Sequence, residues 1–132
     1  MERILIIDDD PGIRSSLRRT LEEAGFDVDE AENGAAGLRA YSARRPDVVI
    51  CDIFMPVKEG LETIHELHDA DPAAPIVAIS GGALLTSVDP LPVAAALGAC
   101  RVLRKPFKME EFLTTVREIL AASPQPLAVP TQ

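Results

Sequence analysis

The 132-residue sequence predicts a doubly wound α/β fold, a five-stranded parallel sheet with helices on both faces. Three observations carry that prediction. Ile4-Leu5-Ile6-Ile7, Val48-Val49-Ile50-Cys51 and Ile76-Val77-Ala78-Ile79 are short, nearly unbroken aliphatic runs, the pattern of strands covered on both sides. Segments with apolar residues at helical spacing alternate with them. Each run also ends on a polar group, Asp8, Asp52 or Ser80, and right-handed crossovers bring all strand carboxyl ends to one edge.

Taken in order, the first strand covers 4–7 and stops on Asp8-Asp9-Asp10. Asp10 before Pro11 is a helix start, with the carboxylate capping a free amide and proline in the first turn. Ile13, Leu17, Leu21 and Ala24 mark the buried face of that helix, and Gly25 closes it in a left-handed conformation. Phe26–Ala31 alternates polar and apolar residues, as an edge strand does. Asn33-Gly34 opens a second helix, with Leu38 and Tyr41 inward and Arg39, Arg44 and Arg45 outward; Pro46 stops it.

The strand ending at Asp52 is followed by Met55-Pro56 and then by a helix from about Gly60 to Ala70, with Leu61, Ile64 and Leu67 on one face. After the fourth strand the stretch from Ser80 to Val93 contains two glycines, Pro90 and Pro92, and is expected to be a long loop before a short helix over Val93–Leu97. Gly98 ends that helix. Val102-Leu103 forms a brief fifth strand that delivers Lys105-Pro106-Phe107, and Phe112, Val116, Ile119 and Leu120 line a last helix. Residues 1–122 thus form one domain. Residues 123–132, with three prolines and no periodicity, read as a disordered tail or the start of a linker.

A formal net charge of −8 argues against binding nucleic acid through phosphates, which requires a basic patch, and suits a protein whose partners are proteins. Cys51 and Cys100 have no metal-ligand spacing and are expected to be reduced, buried thiols in a cytoplasmic protein. The first apolar stretch is too short for a signal peptide or membrane span.

Asp8, Asp9, Asp52, Ser80 and Lys105 converge at one sheet edge on this reading. Clustered carboxylates repel one another unless a cation is present. Mg²⁺ suits them, because it takes oxygen ligands and keeps several waters. One carboxylate could then attack phosphorus and form an acyl phosphate, with Lys105 as a compact positive charge for a phosphoryl oxygen and Ser80 as a hydroxyl donor. Each residue alone has a plainer reading: Asp-Asp as a helix cap, Ser80 as turn chemistry, Lys105 as a surface charge. A phosphohydrolase with Asp8 as nucleophile is the alternative enzyme reading, but it leaves Asp52-x-x-Met-Pro unexplained. A phosphate-independent interaction module is the third.

Ile6-Ile7-Asp8-Asp9-Asp10, Asp52-Ile53-Phe54-Met55-Pro56 with Gly60, Ile79-Ser80-Gly81 and Lys105-Pro106-Phe107 together resemble the response-regulator receiver domain of two-component signalling, over residues 3 to 121. The resemblance implies a flavodoxin-like sheet of order 2-1-3-4-5. It implies that Asp52 accepts a phosphoryl group from a histidine kinase or histidine phosphotransfer protein, switching a surface that contacts a downstream protein target or a second copy in a phosphorylation-dependent homodimer. Mg²⁺ would be held by Asp9, Asp52 and the Phe54 carbonyl, with Asp8 acting through water. Ser80 takes the switch-hydroxyl position, Lys105 the family lysine, and the Lys105–Pro106 bond is expected to be cis. The domain would catalyse only its own phosphorylation and dephosphorylation, without direct nucleic-acid or membrane binding.

Three departures accompany the resemblance. Val102 stands where many receivers carry an aromatic partner of the switch hydroxyl. The Ser80–Lys105 segment is longer than in compact receivers. Phe54, two residues past the phosphoacceptor, is bulky and implies slow self-dephosphorylation. His65 and His68 read as part of a solvated helix face, and Arg14, Arg18 and Arg19 on the first helix as solvating charges; the resemblance puts that helix near the kinase-docking surface, which makes them candidate contacts.

Overall fold

The computed structural model describes residues 2–53, 57–80 and 91–122. Its order is β1 (Arg3–Ile7), α1 (Pro11–Glu23), β2 (Asp27–Ala31), α2 (Gly34–Ala43), β3 (Val48–Asp52), α3 (Val57–Ala70), β4 (Ile76–Ser80), α4 (Leu91–Leu97), β5 (Arg101–Arg104) and α5 (Met109–Ala122). All strand pairs are parallel and the sheet order is β2-β1-β3-β4-β5. The expected doubly wound fold is therefore the one observed. The expected loop over 81–90, the Met55-Pro56 turn and the 123–132 tail lie outside the described residues.

Strand alternation splits the core in two. Ile4 and Ile6 of β1, Val48 and Ile50 of β3, and Val77 and Ile79 of β4 pack with Leu17 and Leu21 of α1 and Phe112, Val116 and Ile119 of α5. Leu5, Ile7, Val49, Cys51, Ile76 and Ala78 face the other way, onto Ile64 and Leu67 of α3 and Ala94 of α4. Burial on both sides explains why these runs are aliphatic without interruption. The sheet is consequently covered on both faces, and its carboxyl edge is left to carry a site.

Cap chemistry follows the sequence closely. Asp10 accepts from the amides of Gly12 at 2.8 Å and Ile13 at 3.3 Å, with Pro11 in the first turn of α1. Gly25 has φ +99°, a region where a side chain would be strained. Asn33 caps α2 by accepting from the Ala36 amide at 2.8 Å.

The third helix starts at Val57 rather than at Gly60. Gly60 sits inside its first turns because the helix passes directly over the end of β3: a Cβ there would lie 2.5 Å from Ile53 Cα and 2.8 Å from the Asp52 carbonyl oxygen. Its role is close backbone approach, not helix initiation. The fourth helix likewise begins earlier than expected, at Leu91.

Two further expectations are corrected. Cys100 is exposed, whereas Cys51 is buried; both are free thiols. Cys100 follows the turn after α4 and precedes an edge strand, so only one side of it is covered. His68 is half-buried rather than solvated, because its ring occupies the space a Cβ on Gly98 would need, 2.4 Å from Cγ. Among the described residues no helix is long and apolar enough to cross a membrane.

Candidate functional site

Register brings the acidic residues together. Ile7 of β1 pairs with Cys51 of β3, so the next residues, Asp8 and Asp52, leave adjacent strands side by side. Both extend the alternation set by Ile6 and Ile50 and lie toward the α1 and α5 side of the sheet. Lys105 extends it from Leu103 in the same sense. Lys105 follows β5, two strands from β3 and three from β1, so the chain returns a cation to the same side.

The distances bear this out. Single carboxylate oxygens of Asp8, Asp9 and Asp52 all lie within 4.8 Å of one another. The Lys105 Nζ stands 3.7 Å from Asp52 Oδ2 and 4.0 Å from Asp8 Oδ2. Asp8 and Asp52 are buried and Asp9 is exposed at the rim, so the cluster is closed below and open above. The Lys105–Pro106 peptide is cis, as the resemblance implies.

Ser80 ends β4 and is fully buried. Its carbonyl accepts from the Lys105 amide at 2.8 Å, which ties the start of the Lys105 loop to β4. Phe54 lies outside the described residues, so its expected part in holding a metal belongs to the sequence reading alone.

Burial pushes the Asp8 carboxyl up to about 6; the neighbouring Asp52 carboxylate adds to this, while the Asp10 amide and the Lys105 ammonium oppose it. Asp8 Oδ1 accepts from the Asp10 amide at 2.9 Å, but Oδ2 is buried without a hydrogen-bond partner. A buried carboxylate oxygen lacking a donor is costly. One ammonium cannot neutralise three carboxylates, and a small divalent cation bound by oxygen ligands would. The donor set therefore fits such an ion, and it is the only His/Cys/Asp/Glu cluster of this kind among the described residues.

Sequence reasoning missed Arg14 and Glu30. Rather than solvating the surface, Arg14 is only 16% exposed, donating to the Asp8 carbonyl oxygen at 2.7 Å and to Glu30 Oε1 at 2.9 Å. A signal was available: a cation in the opening turns of a helix opposes the macrodipole and needs a local partner. Arg18 also binds Glu30, so the first helix is fastened to the edge strand β2.

A family model described as the response regulator receiver domain matches residues 4–117. The response regulator MprA of Mycobacterium sp. (strain KMS) is 36% identical over 118 residues, covering 89% of this chain and 50% of the relative. The transcriptional regulatory protein PrrA of Mycobacterium tuberculosis is also 36% identical, covering 89% and 49%. The chain thus spans about half the length of these curated relatives. A receiver domain protein from Methanospirillum hungatei superposes with a TM-score of 0.84 at 28% identity, covering 92% of this chain and 95% of that one. The chemotaxis protein CheY4 of Vibrio cholerae gives 0.81 at 32%, covering 91% and 99%.

Proposed function

Because this chain belongs to the response regulator receiver family, we propose that it accepts a phosphoryl group on Asp52 from a histidine kinase or histidine phosphotransfer protein. The observation that carries the proposal is the buried Asp8–Asp52 pair with Lys105 3.7 Å from Asp52. A nucleophile, a neighbouring anion and a fixed cation stand together at the carboxyl edge of the sheet, where open α/β sheets bind ligands.

Asp52 Oδ attacks phosphorus while the P–N bond of the donor phosphohistidine breaks; the imidazole nitrogen leaves with the bonding pair and takes a proton. The product is an acyl phosphate on Asp52. Asp9, Asp52 and the Phe54 carbonyl would hold Mg²⁺, with Asp8 acting mainly through a bound water, and the ion would supply charge neutralisation for the transferring oxygens. Lys105 offers its ammonium to a phosphoryl oxygen, and Ser80 its hydroxyl to another. The new charge and acceptor oxygens then shift the populations of the surface around the Ser80 and Lys105 loops, which a downstream protein or a second copy reads. The acidic balance of this domain supports output through protein contact rather than by its own binding of nucleic acid.

Peptide mapping after incubation with acetyl phosphate and Mg²⁺ tests the assignment. Modification at Asp52 agrees with it. Modification at Asp8 instead would turn the reading toward a phosphohydrolase.

A further inference from the structure

We propose that Arg14, anchored by Glu30, is a positioning residue that holds Asp8 ready for a divalent cation; this rests on the site reading above.

Asp8 is fixed at three points. Its amide donates to the Ala31 carbonyl at 3.1 Å, its carbonyl accepts from Arg14 Nη1 at 2.7 Å, and its Oδ1 accepts from the Asp10 amide at 2.9 Å. Oδ2 is left buried and without a hydrogen bond, 4.0 Å from the Lys105 ammonium and in one cluster with the carboxylates of Asp9 and Asp52. The contacts from Ala31 and Asp10 come from backbone that the sheet and the α1 cap already order. The one from Arg14 is the only side-chain restraint among them.

Arg14 is itself over-determined. Its guanidinium is planar and presents its donors in a fixed fork, with Nε on Glu30 and Nη1 on Asp8. Glu30 is paired in register with Ile6 of β1 and also binds Arg18. The two arginines hold the Glu30 carboxyl below its ordinary range, Arg18 more strongly. Edge strand, helix and acidic turn are therefore locked through one side chain, which holds Asp8 in place beside the other two carboxylates. Outer partners that orient a metal ligand commonly matter to affinity in this way.

The test is Mg²⁺ titration of the unphosphorylated chain, followed by amide chemical shifts in NMR, with urea unfolding of each variant alongside. Arg14→Ala should weaken Mg²⁺ by about tenfold, Glu30→Gln by about threefold, and Arg18→Ala by less than about twofold. Arg14→Lys should behave like Arg14→Ala, because an ammonium cannot span Asp8 and Glu30 together. Arg14→Ala and Arg18→Ala each lose an ion pair to Glu30, so a merely structural role would move stability in both and leave affinity alike in the two.

Wild-type Mg²⁺ affinity in Arg14→Lys and Glu30→Gln would overturn the inference and leave the site reading standing. Equal weakening by Arg18→Ala would also overturn it, in favour of a general charge effect. Absence of saturable Mg²⁺ binding by the wild type would overturn the site reading and the inference with it. Should Arg14→Ala fail to fold, Arg14→Lys and Glu30→Gln decide alone.

Discussion

Lys105 reaches Asp52 from β5, two strands away across the sheet, and its Nζ lies 3.7 Å from the carboxylate. The same ammonium is 4.0 Å from Asp8. A single cation therefore serves two buried anions, and its removal leaves both without it.

Lys105→Ala is expected to slow phosphorylation of Asp52 by acetyl phosphate by about 10- to 100-fold, the scale of losing one fixed charge aimed at a reacting oxygen. Arg at the position should restore the rate only in part, since a planar guanidinium does not occupy the place of a compact ammonium. The time course of mass gain measures both.

The Asp8 carboxyl gives a pH dependence of definite sign. Its value is about 6 in the folded chain against an ordinary 3.8. Between those values the folded state holds a proton that the unfolded state has lost, so this residue's contribution to stability falls as pH rises through the window and stays lost above it. Without divalent cations, Asp8→Asn should be more stable than wild type at about pH 7.5, on the order of 1–3 kcal/mol, with the gap closing near pH 4. Urea unfolding at the two pH values reads this. Added Mg²⁺ should stabilise the wild type more than the variant.

Gly60→Ala is expected to destabilise the fold by about 1–3 kcal/mol, despite the gain of about 1 kcal/mol that alanine brings to a helix interior. The obstacle is backbone at Ile53 and Asp52, which cannot rotate away. Because the Asp52 carbonyl is among the crowded atoms, the variant should also phosphorylate more slowly. Chemical denaturation and the same mass assay check the two effects.

How legible the site was depends on what fixes each residue. The ends of β1, β3 and β4, and with them Asp8, Asp52 and Ser80, could be located from sequence because an aliphatic strand broadcasts its own end, while Lys105 follows a brief, mostly exposed strand and joins Asp8 and Asp52 through the topology. The cap at Asp10 and the left-handed Gly25 were equally local matters. Arg14 was not legible as a support of Asp8, since that contact depends on β2 lying beside β1 and presenting Glu30. His68 looked solvated by its acidic neighbours Glu66 and Asp69, yet the approach of α4 through Gly98 covers it. Gly60 suggested a helix start, whereas its missing Cβ serves the crossing of α3 over Ile53. In each of these the deciding partner is remote in the chain.

The most direct measurement is intact-mass spectrometry after incubation with acetyl phosphate, with and without Mg²⁺, on the wild type and on Asp52→Asn. A gain of one phosphoryl group that requires Mg²⁺ and is absent from Asp52→Asn is the expected result. No adduct on the wild type, or an adduct that survives Asp52→Asn, would contradict it.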